Sequence, residues 1–96
     1  MFAVCNMFTG QGAGSLYDRL FDSTTEVEAL MRGIPGFVSY TMVRTEEGGY
    51  SLVVVENQAD LPEVAKIAGG YIQQLGAEIG PIDPPVSHIG SVGLHL

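Results

Sequence analysis

The chain has 96 residues and a mass of 10.2 kDa, enough for one hydrophobic core and too little for two. With 46% hydrophobic and 16% charged residues and a mean hydropathy of +0.24, it is too apolar to be disordered and too often interrupted by polar residues to span a bilayer. Four Lys and Arg against eleven Asp and Glu leave a net charge of −7, which repels phosphate backbones and anionic lipid, so neither nucleic acid nor a membrane surface is an expected partner.

Residues 2–8 place Phe2, Val4, Asn6 and Phe8 on one side of an alternating segment and Ala3, Cys5 and Met7 on the other, which predicts a first strand. Gly10, Gly12 and Gly14 follow as a turn. Ser15 with Asp18 three residues on reads as a helix start, and Leu16, Leu20, Val27, Met31 and Ile34 then fall on one helical stripe until Gly33, Pro35 and Gly36. The spacing predicts a single helix over 16–32, with Tyr17 and Phe21 on a flank that something else must cover. Residues 37–45 and 50–57, joined by Glu46, Glu47, Gly48 and Gly49, predict a hairpin. Its second strand carries the unbroken run Leu52, Val53, Val54, Val55, so both of its faces are expected to be buried. Asp60 with Glu63 reads as the capping box of a second helix, tolerant of Pro62 in its first turn. Val64, Ile67, Ala68, Tyr71, Ile72 and Leu75 carry its apolar stripe, and Gly76 is its expected stop. A proline-bearing connector over 76–85 leads to a last strand over 86–96.

The order βαββαβ predicts an α+β, ferredoxin-like sandwich: a four-stranded antiparallel sheet with two helices on one face, in a single domain over 1–96. The other sheet face carries members of the Leu52 to Val55 run and would be a large apolar patch in a monomer. A homodimer packed through that face is the expected solution. At about 25 cal/mol per Å² of apolar surface, covering a few hundred Å² is a strong driving force. The single cysteine, Cys5, excludes an intrachain disulfide, and the first ten residues lack the pattern of a signal peptide, so a cytoplasmic location is expected.

The segment Ile34-Pro35-Gly36-Phe37-Val38-Ser39-Tyr40, the Arg44-Thr45 to Gly48-Gly49 hairpin and the helix entry at Ala59-Asp60 resemble the antibiotic-biosynthesis-monooxygenase-like proteins of the dimeric α+β barrel superfamily. The resemblance covers nearly the whole chain and marks architecture. It implies two sheets closed into a barrel across a dimer, and a ligand cleft between the sheet and helices of each subunit. Activities in that family include cofactor-free oxygenation of polycyclic phenols, haem degradation and isomerisation of signal molecules, and fold alone does not choose among them. Asn6 matches the position of a functional asparagine in haem degraders and some oxygenases. Haem degradation is disfavoured, because those members also use a tryptophan and a histidine of the second helix. This chain has no Trp, and His88 and His95 fall in its last strand.

Asn6 is a polar group on an apolar face, so it either orients a substrate oxygen or is a core amide satisfied by backbone or water. His88 is a candidate general base or polar anchor, with a structurally satisfied imidazole as the alternative; His95, near the C-terminus, is expected to be solvated or at the dimer edge. Tyr40 and Tyr71 are candidate ligand-binding phenols, with core packing as the other reading for Tyr71. Tyr17 and Phe21 either wall a pocket mouth or meet the dimer partner. Cys5, between apolar residues, reads as an inert thiol. The run Gly10-Gln11-Gly12-Ala13-Gly14-Ser15 lacks the third glycine of a dinucleotide fingerprint and is read as a turn whose free N–H groups suit a small anion. No histidine and carboxylate grouping has metal-ligand spacing. The expected function is that of a homodimer acting on a small aromatic or quinone-like metabolite without a cofactor, as monooxygenase or isomerase, with a non-catalytic ligand-binding or interaction module as the alternative.

Overall fold

A computed structural model describes residues 1–96, and their order in space follows the sequence pattern closely. The strands are β1 (Phe2–Thr9), β2 (Phe37–Arg44), β3 (Gly48–Val55) and β4 (Val86–Ser91). The helices are α1 (Ala13–Phe21), α2 (Thr24–Arg32) and α3 (Leu61–Ile79), the last preceded by one 3-10 turn over Gln58–Asp60. The sheet runs β2-β3-β1-β4 and every neighbouring pair is antiparallel, which is the expected ferredoxin-like α+β sandwich. The core lies between the helices and one sheet face, built from Val4 and Phe8 of β1, Leu16, Tyr17 and Leu20 of α1, Val27 and Met31 of α2, Val53 and Val55 of β3, and Val64, Tyr71 and Leu75 of α3.

The predicted single helix over 16–32 is two. The chain turns at Asp22 and Ser23, where the Ser23 N–H bonds the Leu20 carbonyl oxygen at 3.0 Å and the Ser23 carbonyl oxygen accepts the first bond of α2 from Val27 at 2.9 Å. Asp22, Ser23, Thr24 and Thr25 are all weak helix formers, so the run is a favourable place for a helix to break while its apolar stripe continues. Nor is the first helix capped by Ser15: it starts at Ala13, with Gly12 as N-cap at φ 79°. A Cβ at Gly12 would run into the Pro81 carbonyl oxygen, so both the left-handed backbone and the close approach require glycine. The anion that the glycine turn was expected to suit belongs to the chain itself. Asp83 Oδ2 accepts from the Gln11 N–H at 3.0 Å, and the Asp83 N–H donates to the Gln11 carbonyl oxygen at 2.9 Å, tying the connector before β4 to the β1–α1 turn.

Asp60 and Glu63 do not form the expected box. The box is Asn57 with Asp60 around the 3-10 turn, while α3 runs three residues past Gly76 to a C-cap at Gly80. Gly48 and Gly49 are strand residues rather than the hairpin link, which closes through the Thr45 N–H to the Gly48 carbonyl oxygen at 3.0 Å. The last strand ends at Ser91 and all six of its residues are exposed, because it is an edge strand that pairs only with β1. The burial expected on both faces of β3 holds in part: Val53 and Val55 enter the core and Val54 is buried behind the sheet, but Leu52 remains 38% exposed. Leu52, Met7 and Val86 stand together on the helix-free face, where Met7 is the register partner of Val86 and Cys5 that of Leu52.

Candidate functional site

Cross-strand register decides which polar side chains share a face. Asn6 of β1 lies directly between Ser51 of β3 and Ser87 of β4, and Met42 of β2 is the next partner of Ser51. Residues directly opposite one another point to the same face, so these four cross the sheet as one row. It runs under the helices, on the face of Val4 and Phe8. Ser87 Oγ donates to Asn6 Oδ1, which leaves the Asn6 amide nitrogen as a donor over the sheet.

Above this row the sheet and helices enclose a cavity of about 320 Å³, within the range of small-molecule sites. Fifteen of its twenty lining residues are hydrophobic, and none is Asp, Glu, Lys, Arg or His. Its polar groups are the side chains of Asn6, Ser51 and Ser87 and the hydroxyls of Tyr17, Tyr40 and Tyr71, which count among the fifteen. A second cavity, of about 520 Å³, opens between α2 and β2 and shares Val27, Met31 and Tyr40 with the first.

The position of Tyr17 depends on a missing side chain. Gly49 lies two residues before Ser51 on the same face of β3, and the Tyr17 ring rests against it, packed at 57° to Phe8 with centroids 5.9 Å apart. Its hydroxyl thus reaches Ser51 Oγ, 2.8 Å away, and Tyr40 on the neighbouring strand donates to the same oxygen at 3.1 Å. Burial pushes the Tyr17 phenol up to about 12 against the lowering effect of Ser51, and it raises the Tyr40 phenol for the same reason. Tyr71 is raised chiefly by burial and next by Glu26, against the lowering effect of Ser23. At neutral pH these side chains are protonated donors.

The folded chain holds the Tyr17 proton more tightly than the unfolded chain, whose phenols release theirs near pH 10. This contribution to stability is complete below about pH 10 and is lost as pH rises through about 12. Chemical denaturation at several alkaline pH values should show stability falling across that interval, and Tyr17→Phe should flatten the fall. An unchanged slope in Tyr17→Phe would place the proton release elsewhere.

The structure brings together Asn6, Tyr17, Tyr40 and Tyr71 from the sequence-derived candidates, and leaves out two. His88 is the register partner of Cys5, so it points to the helix-free face, away from Asn6 and the cavity. Phe21, the last residue of α1, is 46% exposed and outside the lining. His95 lies beyond the end of β4. Ser51 and Ser87 were missed as site residues; the only signal for them was their register with Asn6, which sequence spacing within one strand does not contain.

No protein-family model matches the sequence, and neither does any curated protein. Among solved structures, the chain is similar over 99% of its length to 88% of a monooxygenase from the gene ActVA-Orf6 of Streptomyces coelicolor in complex with nanaomycin D, with a TM-score of 0.66 and 16% identity. It is similar over 99% of its length to 95% of SnoaB, a cofactor-independent oxygenase from Streptomyces nogalater, with a TM-score of 0.60 and 22% identity. MhuD, a haem degrader from Mycobacterium tuberculosis with two haems in its active site, matches with a TM-score of 0.60 and 18% identity over 99% of this chain and 97% of that one. At these identities the likeness is one of fold, and the chain has the ferredoxin-like fold of antibiotic-biosynthesis-monooxygenase-type proteins.

Proposed function

We propose that the sheet–helix cavity binds a small, flat, electron-rich aromatic molecule and that the protein oxygenates it without a cofactor. The observation that carries this reading is the cavity's lining, apolar and uncharged on its walls, with hydroxyl and amide donors gathered on its sheet floor. Such a lining suits a polycyclic phenol: the walls take the rings and the donors hold its oxygens. In the oxygenation we envisage, a CH2 group between electron-rich rings becomes a carbonyl. One atom of O2 enters the product, the other leaves as water, and all four electrons come from the substrate. Asn6 orients the substrate oxygen through its amide nitrogen. The fold likeness to two oxygenases supports this reading.

The isomerase alternative needs a side chain that exchanges a proton near neutral pH. His88 faces the other way, and the cavity phenols hold their protons into the alkaline range, which weighs against it. The same absence of a base in the lining favours, as a second reading, a module that binds such molecules without converting them. The protein is further proposed to be a homodimer, joined through the face that exposes Leu52, Met7 and Val86.

Native mass spectrometry of the freshly purified protein, followed by O2 uptake with a hydroxyanthrone, tests these readings together. A dimer mass, with saturable O2 uptake of one molecule per carbonyl formed and a rate lost in Asn6→Ala, is expected. Saturable hydroxyanthrone binding without accelerated uptake would select the binding module, and a bare monomer at micromolar concentration would overturn the dimer.

A further inference from the structure

Three hydroxyls of the cavity lining form one connected chain. Tyr40 donates to Ser51 Oγ at 3.1 Å, and Tyr17 lies 2.8 Å from the same oxygen, where either group can be the donor. Three hydroxyls bring three protons, and the chain uses two of them in these bonds. If Tyr17 donates, both lone pairs of Ser51 are occupied and its own O–H has no partner in the chain. If Ser51 donates to Tyr17 instead, the Tyr17 O–H is the one left over. The Met42 thioether, 4.0 Å from the Tyr40 hydroxyl, competes for the single Tyr40 proton only as a weak acceptor, so that proton goes to the nearer and stronger Ser51 oxygen. The amide oxygen of Asn6, the register partner of Ser51, accepts from Ser87 and makes no hydrogen bond with Ser51. Ser51 is 8% exposed and Tyr17 0%, and both line the cavity, so the spare donor faces the cavity rather than the outer surface. A buried donor left without an acceptor costs about 1–3 kcal/mol.

We infer that Tyr40, Ser51 and Tyr17 act as a single polarised donor that holds an anionic ligand oxygen, a phenolate or enolate, with Ser51 as the positioning residue that joins the two phenols. The inference rests on the small-molecule reading above and adds the ionisation state of the ligand to it. Hydroxyls bonded in series polarise one another, so the last proton is a stronger donor than an isolated hydroxyl, and among apolar walls its bond to an oxyanion is stronger still. The phenols can donate without ionising themselves, since burial holds their own protons on. The absence of a base then becomes intelligible: the site stabilises a ligand that has already lost its proton to water.

The test uses para-nitrophenol, whose anion absorbs visible light, and para-nitroanisole, the same body with its oxygen methylated. The wild-type protein should bind the nitrophenolate at least about tenfold more tightly than the anisole, the effect of one charge-assisted hydrogen bond. Ser51→Ala should lower phenolate affinity about tenfold and Tyr40→Phe by a smaller, several-fold factor. Both should move ionisation of the bound nitrophenol to higher pH while leaving nitroanisole affinity unchanged, and Ser51→Thr, which keeps the hydroxyl, should restore wild-type behaviour. Unchanged anisole binding reports an intact cavity, and Tyr40→Phe carries the test if Ser51→Ala fails to fold. Equal binding of the two probes, with ionisation indifferent to the substitutions, would overturn the donor chain and leave the cavity reading standing. Binding of neither probe would overturn both.

Discussion

Replacing Gly49 by alanine should destabilise the protein by about 3 kcal/mol or more, while the same replacement at Gly70 should stabilise it by up to about 1 kcal/mol. A Cβ at Gly49 would stand 2.5 Å from Tyr17 Cγ and 2.6 Å from the Val43 carbonyl oxygen, so either the ring or the hairpin must move. Moving the ring breaks its contact with Phe8 and the bond of its hydroxyl to Ser51. Gly70 lies inside α3 and a Cβ there meets nothing within 4 Å, so alanine adds only its helix preference. Thermal or urea unfolding of the two variants measures both signs at once. Similar stability in Gly49→Ala would mean that Tyr17 is not held by the strand. Because Tyr17 feeds Ser51, any folded Gly49→Ala protein should also lose phenolate affinity.

Ala68→Phe should abolish ligand binding and spare the fold. Ala68 lies four residues after Val64 and three before Tyr71, so all three share the stripe of α3 that faces the sheet, and it lines the 320 Å³ cavity. A phenyl ring added there fills open volume instead of pressing on packed atoms, the situation in which added bulk costs least. Affinity for nitroanisole should fall more than about tenfold, with an unfolding midpoint equal to or above that of the parent, since one filled pocket removes the room for another ring. Binding that survives Ala68→Phe would move the ligand to the 520 Å³ cavity between α2 and β2, which does not include Ala68. In that case Phe37 and Met42 would be the walls to alter next.

Periodicity along the chain was sufficient to place the elements. Alternation over Phe2 to Phe8, the β-branched run at Val53 to Val55 and the helical spacing from Val64 to Leu75 each correspond to an observed element, and their order permits few topologies other than the ferredoxin-like sandwich. Asn6 was legible as a candidate because it is polar among apolar neighbours on one face of one strand, and Tyr40 and Tyr71 because phenols in a packed layer need partners. These are one-dimensional signals, carried by residues a few positions apart.

What depends on the third dimension was decided by tertiary structure alone. Whether His88 joins Asn6 turns on strand register: β4 pairs so that Ser87, not His88, lies opposite Asn6, and a shift of one residue would have reversed the result. Tyr17 is buried against β3 while Phe21, one turn further along the same flank at the end of α1, is exposed. Gly49 admits the Tyr17 ring only because a strand and a helix distant in sequence come within contact of each other. The sequence by itself determined which segments are strands and helices and which faces are apolar, since those follow from local spacing. Register and close packing determined which polar groups meet, because each depends on contacts between residues far apart in the chain.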